Sequence, residues 1–219
     1  MTIHHLLEEN SIANKFVAQL RDTSVQNDRL RFRRNIERLG EILGYELSKS
    51  LSYQQQNITT PLGKSKINLL QEEIVVCSIL RAGLPLHTGL LNYFDDAENS
   101  FISAYRHHPD NDENFEILVE YLASPSLEGK ILLLADPMLA TGSSFVNVMG
   151  ALKTMGKPKA IHLVSVIAAR EGINYVSREF PENSHLWIAT IDEELDEKGY
   201  IVPGLGDAGD LCFGSKLQH

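Results

Sequence analysis

Residues 131–144 read Ile131-Leu132-Leu133-Leu134-Ala135-Asp136-Pro137-Met138-Leu139-Ala140-Thr141-Gly142-Ser143-Ser144. A run of apolar residues ends in an acid and continues into a loop of small and hydroxylic residues. This pattern is typical of a buried parallel strand that leads into a phosphate-binding turn. In open α/β sheets, ligands bind just beyond the carboxyl ends of such strands. The stretch therefore predicts an α/β fold with a ligand site after residue 135.

The loop after this strand offers the backbone N–H groups of residues 140–144, where the next helix is expected to begin. Unpaired N–H donors at a helix N-terminus favour an anion. The charge of Asp136 excludes it as a phosphate ligand, so we expect it to meet a sugar hydroxyl or a metal-bound water. An acid beside a phosphate-binding loop indicates a sugar-phosphate site. The alternative is an ordinary strand-to-helix turn with a capping Thr or Ser and no ligand.

Length, charge and cysteine content narrow the class of protein. A chain of 219 residues fits one α/β domain. Its net charge of -9 argues against a general nucleic-acid binder, which usually has a basic surface. The sequence has neither an uncharged apolar run long enough for a membrane span nor a signal-peptide pattern at residues 1–5. Cys77 and Cys212 are too isolated for a disulfide framework or a cysteine-based zinc site. We therefore expect a cytoplasmic protein with neither nucleic acid nor membrane as partner.

Strands and helices alternate along the rest of the chain. Apolar spacing predicts helices at residues 11–20 and 30–47, which form an N-terminal helical arm over about residues 1–50. The core, over about residues 51–195, is predicted to contain a hairpin at 57–70, strands at 73–80, 100–105, 115–121, 130–135, 160–168 and 186–191, and helices at 84–94, 143–155 and 171–178. This alternation predicts βαβ units, and hence a mostly parallel central sheet flanked by helices.

Two arginines directly follow predicted strands. Arg81 comes after the strand ending at Leu80, and Arg106 after the strand ending at Tyr105. Parallel strands bring their carboxyl ends to one edge of a sheet, so both arginines are expected near Asp136. A planar guanidinium suits an anionic ligand because it can bind two phosphate oxygens at once. The alternative for either arginine is an ordinary surface position. Five more arginines around the start of the second helix favour a solvated basic face over an anion site or subunit contact: Arg29, Arg31, Arg33, Arg34 and Arg38.

The C-terminal segment, about residues 196–219, is dense in glycine. It contains Gly204-x-Gly206-x-x-Gly209, the spacing of a dinucleotide fingerprint. That motif must open a helix inside a βαβ unit with an acid about 20 residues later, and the chain ends too soon for this. A glycine-rich backbone beside an acid instead predicts a loop that packs against a flat ligand and forms hydrogen bonds with the edge of that ligand. The alternative is an irregular C-terminal tail.

At these residues the chain resembles the uracil phosphoribosyltransferases, a branch of the type I phosphoribosyltransferases. The resemblance runs from about residue 10 to the end, and it is carried by Arg31-Phe32-Arg33, Ile79-Leu80-Arg81-Ala82-Gly83-Leu84, Tyr105-Arg106, Asp136-Pro137-Met138-Leu139-Ala140-Thr141-Gly142 and residues 199–210. Pro137, in place of a second acid found in many type I relatives, points to the uracil branch. The resemblance implies a type I fold and the reaction of uracil with phosphoribosyl pyrophosphate to give UMP and pyrophosphate, with Mg²⁺ as cofactor.

The resemblance also implies roles for single residues. Residues 136–144 would hold the ribose 5-phosphate, with Asp136 near the ribose hydroxyls. Arg81 and Arg106 would meet the pyrophosphate, and a loop over about residues 105–115 would close over the site. The edge of uracil would be bound by Ile201, Gly206, Asp207 and Ala208. Mg²⁺ would be held mainly through substrate and water, with Asp207 as the candidate protein contact. The expected catalytic residues are thus Arg81, Arg106, Asp136 and Asp207.

The chain departs from the family pattern at Ser143, which replaces a glycine, at Leu211, which replaces a basic residue, and at His107-His108-Pro109. The apolar N-terminal arm indicates a homodimer or homotetramer, and regulation by a GTP effector stays open. Two other functions also stay open. One is a regulator without catalytic activity that binds UMP or RNA on the same fold. The other is transfer to a different base.

Overall fold

The computed structural model describes residues 1–107 and 116–216, without the side chains of residues 104–107 and 116–120. The helices are α1 (Ala13–Arg21), α2 (Arg29–Ser48), α3 (Gly83–Leu91), α4 (Ser143–Leu152), α5 (Arg170–Glu179) and α6 (Ala208–Phe213). The strands are β1 (Thr2–His5), β2 (Tyr53–Thr60), β3 (Gly63–Leu70), β4 (Ile74–Leu80), β5 (Glu98–His107), β6 (Glu116–Ala123), β7 (Ile131–Ala135), β8 (Met138–Leu139), β9 (Ala160–Ala169), β10 (His185–Asp192), β11 (Glu194–Leu195) and β12 (Ile201–Val202). No helix in these ranges is long and apolar enough to cross a membrane.

The central sheet has the strand order β1-β10-β9-β7-β4-β5-β6, and β8 pairs with β9. Neighbouring strands are parallel except for β5 and β6. These two are antiparallel because the connection over residues 108–115 is shorter than the roughly dozen residues that a parallel crossover needs. Strand β7 is fully buried, as expected when both faces of a parallel sheet are covered. The predicted α/β fold, a mostly parallel sheet flanked by helices, is confirmed.

Helices cover both faces of the sheet. On one face α1, α2 and α3 pack against a cluster that includes Val76 and Leu133. On the other face α4 and α5 pack against a cluster that includes Val75 and Leu132. Successive side chains of a strand point to opposite faces, so each buried strand contributes to both halves of the core.

Helices α2 and α3 cross in close contact at two glycines. A Cβ at Gly89 would lie 2.1 Å from the carbonyl oxygen of Glu37, and a Cβ at Gly40 would lie 2.8 Å from that of Leu86. Glycine inside a helix lowers helix propensity, but here it allows the two backbones to approach. The helix predicted for residues 30–47 therefore forms as α2 despite its internal glycines.

Both ends of the chain differ from the prediction. Residues Thr2–His5 form β1 instead of the start of a helical arm, and they pair in parallel with β10. This pairing covers an edge of the sheet whose backbone groups would otherwise lack partners. At the other end, the glycine-rich segment does lead into a helix, the short α6, which stands outside any βαβ unit. A four-residue strand and a six-residue helix are too short to show a clear periodicity in sequence.

The predicted hairpin is confirmed and is longer than expected. Strands β2 and β3 form a separate two-stranded antiparallel sheet joined at Thr60 and Gly63. Nearly every residue of both strands is exposed, including the apolar Ile58, Ile67 and Leu69. The hairpin therefore contributes little to the core that holds the candidate site.

Candidate active site

The loop after β7, residues 136–144, is called the phosphate loop below. It begins at the carboxyl end of a central strand and ends at the first turn of α4. Gly142 caps this helix with φ of 85°, a left-handed conformation that favours glycine. Among the described residues, the N–H groups of Ala140, Thr141, Gly142 and Ser144 donate no hydrogen bond to the chain. These N–H groups are therefore available as donors at the start of a helix, which is the arrangement that an anion site requires.

Helix α5 supports the phosphate loop from behind through a residue that the sequence analysis did not identify. A Cβ at Gly172 would lie 2.1 Å from the carbonyl oxygen of Ala140. A Cβ at Gly142 would lie 3.1 Å from the carbonyl oxygen of Gly172. The two backbones are thus in direct contact, and only glycine fits at residue 172. The sequence signal was a glycine in the first turn of a helix, where it has no obvious local purpose.

Asp136 lies at the start of the phosphate loop. Its Oδ1 accepts a hydrogen bond of 3.1 Å from the N–H of Met138. Burial raises the pKa of the Asp136 carboxyl to about 7, and the Met138 hydrogen bond only partly opposes this rise. A carboxyl with this pKa exchanges a proton near neutral pH and can accept a hydrogen bond from a hydroxyl.

Arg81 follows β4 directly and lies beside the phosphate loop. A Cβ at Gly83 would lie 3.3 Å from the carbonyl oxygen of Ala135, so the segment after β4 touches the end of β7. The guanidinium of Arg81 donates to Oδ1 of Asp210 at 3.1 Å and to the carbonyl oxygen of Gly214 at 3.3 Å. This arginine therefore connects the sheet edge to the C-terminal segment.

Arg106 lies in β5, the strand next to β4, and its position relative to the end of the strand differs slightly from the prediction. Strand β5 continues to His107, so Arg106 lies within the strand, opposite Ile117 of β6, and not after its end. The polar loop and its departure at His108 and Pro109 lie outside the described residues, as does the Arg106 side chain. The parallel pairing of β4 and β5 still places the Arg106 backbone at the same edge of the sheet as Arg81.

Residues 199–210, called the base segment below, fold over this edge. Its β12 pairs with β11, and the chain then turns through Gly204 and Gly206, both with positive φ, into α6. Asp207 caps α6 by accepting a hydrogen bond of 2.9 Å from the N–H of Asp210. A Cβ at Gly209 would lie 3.1 Å from Oδ1 of Asp207 and 3.8 Å from Nη2 of Arg81. Asp207 and Arg81 thus both lie close to Gly209, and Ile201 and Ala208 of the same segment are buried.

The arginines of α2 divide into two groups. Arg31 and Arg34 pair with Asp28 and Glu37 of neighbouring turns and remain half exposed, as a solvated basic face would. Arg33 instead reaches α6 and donates to the carbonyl oxygen of Cys212 at 2.6 Å. Nothing local in the sequence distinguishes Arg33 from its neighbours, so this contact could not be predicted.

The carboxylates near this edge do not form a metal cage. In the described ranges, no group of three or more His, Cys, Asp or Glu side chains is arranged to hold a metal ion. Asp207 uses Oδ1 for its cap, and no described hydrogen bond involves its Oδ2. This single hard oxygen suits Mg²⁺ that is carried mainly by a ligand's own phosphates.

The model of the family described as uracil phosphoribosyltransferase matches residues 7–215. The chain belongs to the uracil phosphoribosyltransferase family. A uracil phosphoribosyltransferase of Porphyromonas gingivalis is 52% identical over 217 residues, which cover 99% of this chain and 100% of that protein. One of Methanococcus vannielii is 41% identical and covers 89% of this chain and 84% of its own length. These relatives are enzymes by name, and the Porphyromonas gingivalis protein matches nearly the whole chain.

Solved structures share the fold of this chain. The AQ2163 protein of Aquifex aeolicus superposes with a TM-score of 0.85 at 32% identity, over 99% of this chain and 100% of that one. A hypoxanthine phosphoribosyltransferase of Staphylococcus aureus has a TM-score of 0.50 at 16% identity, over 74% and 76% of the two chains. The second likeness supports the type I fold only.

At the two described departures from the family pattern, the backbone N–H groups form hydrogen bonds within the chain. Ser143 donates its N–H to Oγ1 of Thr141 at 3.4 Å, and the two hydroxyls are 3.1 Å apart, so the first turn of α4 remains ordered. Leu211 packs partly against the core and donates its N–H to the carbonyl oxygen of Asp207. An ion pair at residue 211 is absent because leucine has no charge.

Proposed function

We propose that this protein transfers the phosphoribosyl group of phosphoribosyl pyrophosphate to uracil, giving UMP and pyrophosphate. The observation that carries the proposal is the Arg81–Asp210 ion pair. This ion pair connects the base segment to the sheet edge that carries the phosphate loop. Nη2 of Arg81 lies 3.1 Å from Oδ1 of Asp210. An anion-binding loop and a glycine-rich base segment thus face one space, as a reaction between a sugar phosphate and a flat base requires.

In this proposal the phosphate loop binds the 5-phosphate of the ribose. The unpaired N–H groups of Ala140, Thr141, Gly142 and Ser144 supply the donors, together with the hydroxyls of Thr141, Ser143 and Ser144. Asp136 accepts from the ribose hydroxyls. Pro137, Met138 and Leu139 shape the turn between the acid and these donors.

Arg81 and Arg106 neutralise the pyrophosphate as its bond to the ribose breaks. Charge develops on the leaving group, so cations placed in advance lower the barrier. Mg²⁺, when bound to the pyrophosphate, adds positive charge to the leaving group. The residue suited to touch the metal or its water shell is Asp207, through its Oδ2.

The base segment recognises uracil mainly through backbone groups. Ile201, Gly206 and Ala208 supply N–H and carbonyl groups to the edge of the base, while Asp207 lies at the side facing the ribose. Cytosine exchanges a carbonyl oxygen for an amino group, which would leave a buried partner without its hydrogen bond. Such a mismatch rejects an analogue far more strongly than a change in size does.

The assembly, effector and compartment are part of the same proposal. A homodimer or homotetramer is supported by the exposed hairpin of β2 and β3, which carries apolar side chains such as Ile67 and Leu69 on its surface. Free, buried Cys77 and Cys212 fit the reducing cytoplasm. Sedimentation with and without GTP tests the assembly and the effector, and a sharp monomer peak in both conditions would refute the oligomer.

The reaction is tested by measuring pyrophosphate release from phosphoribosyl pyrophosphate and Mg²⁺ with a panel of bases. We expect release with uracil and at most background with cytosine, orotate, hypoxanthine and guanine, and UMP as the nucleotide product. Turnover with a purine in place of uracil would assign the protein to another base. No turnover together with tight UMP binding and an RNA mobility shift would show a regulator.

A further inference from the structure

A partly buried ion pair joins the ends of two elements behind the base segment. Arg21 is the last residue of α1, and Asp192 is the last residue of β10. The guanidinium donates from Nη1 to Oδ2 at 2.8 Å and from Nη2 to Oδ1 at 2.7 Å, which is the bidentate geometry. Asp192 is only 7% exposed. Burial alone would raise the pKa of Asp192, but hydrogen bonds from Arg21 and from the N–H of Gly204, with the charge of Arg21, lower it overall.

The same two side chains hold both backbone groups of Gly204. Asp192 accepts from the N–H of Gly204 at 2.9 Å, and Arg21 donates to its carbonyl oxygen at 3.1 Å. Gly204 has φ of 61°, and a Cβ there would lie 2.0 Å from the carbonyl oxygen of Ile201. The turn between Ile201 and Gly206 is thus fixed from outside by side chains of distant elements.

The side chain of Gln26 holds Leu205, the residue after Gly204. Gln26 lies between α1 and α2, and its Nε2 donates to the carbonyl oxygen of Leu205 at 3.1 Å and to that of Leu20 at 2.8 Å. The N-terminal arm therefore fixes the backbone immediately before Gly206.

We infer that Arg21, Asp192 and Gln26 are positioning residues that set the affinity for uracil, an inference that rests on the proposed function. A base bound by backbone groups cannot be tuned by the side chains of those residues. Its donors and acceptors must be placed to within about 0.5 Å by neighbouring groups whose own positions are fixed. The three side chains supply this placement without touching the base.

The test compares steady-state kinetics of Asp192→Asn, Arg21→Lys and Gln26→Ala with the wild-type protein. We expect KM for uracil to rise about tenfold in Asp192→Asn and Arg21→Lys, an effect of the size expected when roughly one well-placed hydrogen bond is lost. In Gln26→Ala we expect a severalfold rise. KM for phosphoribosyl pyrophosphate and kcat should change by no more than about threefold. A merely structural role would move both KM values, or neither.

A neighbouring ion pair provides the matched control. Arg170 and Glu193 are 2.7 Å apart and about half exposed or more, and Glu193 adjoins Asp192 in the chain. Arg170→Gln should leave KM for uracil unchanged. An unchanged KM for uracil in folded Asp192→Asn and in Gln26→Ala would overturn the inference while leaving the proposed function intact. Because Gln26 is neutral, its variant remains informative if the charge variants fail to fold. Lack of wild-type turnover with uracil would overturn the proposed function and the inference with it.

Discussion

Asp136 lies directly after the carboxyl end of β7, and burial favours the neutral form of its carboxyl group. Its folded-state pKa of about 7 exceeds the usual value of 3.8, so the folded protein binds more protons than the unfolded chain between these two pH values. Stability from this group is therefore present at low pH and is lost as the pH rises towards 7. Burial of this carboxyl therefore lowers the stability of the protein at neutral pH.

Asp136→Asn removes this titration while keeping an oxygen for the N–H of Met138. The variant should gain stability relative to wild type as the pH rises from 4 to 7, by at most about 4 kcal/mol, and the gain should level off above pH 7. Urea unfolding at several pH values measures the difference. A constant difference across this range would show that the carboxyl titrates normally in the folded protein.

Asp207 is expected to contribute to activity through its negative charge, and not through its role as the N-cap of α6. Asn is as good a helix cap as Asp, so Asp207→Asn should keep α6 and leave the melting temperature within about 2 °C of wild type. Loss of the charge beside the phosphoribosyl substrate should lower kcat/KM by about 100-fold. Asp96→Asn, at an exposed acid before β5, is the control and should retain full activity. Near-normal kinetics of Asp207→Asn would remove this residue from the site.

At the scale of elements, the phosphate loop depends on its contact with α5. Gly172→Ala would place a methyl group 2.1 Å from the carbonyl oxygen of Ala140, which the backbone can relieve only by moving the loop. We expect KM for phosphoribosyl pyrophosphate to rise about tenfold and stability to fall by about 1–3 kcal/mol.

Gly150→Ala in α4 is the matched control for this prediction. Among the described residues, no atom lies within 4 Å of a Cβ built at Gly150. Alanine there should stabilise the helix by about 0.5–1 kcal/mol and leave the kinetics unchanged. If Gly172→Ala behaved like Gly150→Ala in both assays, α5 would not position the loop.

The elements that the sequence predicts well are those whose pattern is local. The apolar run of β7, its terminal acid and the glycine at residue 142 together predict a strand, a loop and a helix start, and the structure has all three. Contacts between distant elements have no such local signature. Arg21 and Asp192 are far apart in the chain, and Gly172 is distinguished only by the carbonyl oxygen of Ala140 that it meets. These supporting residues could be recognised only after the topology was known.

At the scale of the whole molecule, histidines join the N-terminus to the sheet. His4 of β1 stacks on Trp187 of β10 with ring centroids 3.6 Å apart, and its Nε2 lies 3.1 Å from Nδ1 of His185. Trp187 donates from Nε1 to Nδ1 of His162 in β9 at 3.1 Å, so His162 must be unprotonated at Nδ1. Burial, with the nearby His185, lowers the pKa of His162 to about 4.

His162 should make folding sensitive to mild acid. The unfolded chain binds the proton at pH values below 6.5 and the folded protein only near 4, so stability from this group is present above pH 6.5 and is lost as the pH falls to 4. His162→Asn keeps an acceptor for Trp187 but cannot titrate. Relative to this variant, wild type should lose about 3 kcal/mol between pH 7 and 4 in urea unfolding. Parallel pH profiles of the two proteins would contradict this account.

We expect one space at the carboxyl edge of the sheet to hold a sugar phosphate against the phosphate loop and a base against the base segment. A crystal structure with UMP bound measures this directly. We predict the phosphate within hydrogen-bond distance of the N–H groups of residues 141–144. We predict the uracil edge on backbone groups of Ile201, Gly206 and Ala208, and the ribose hydroxyls at Asp136. UMP bound elsewhere, or with its base away from residues 201–208, would contradict the account.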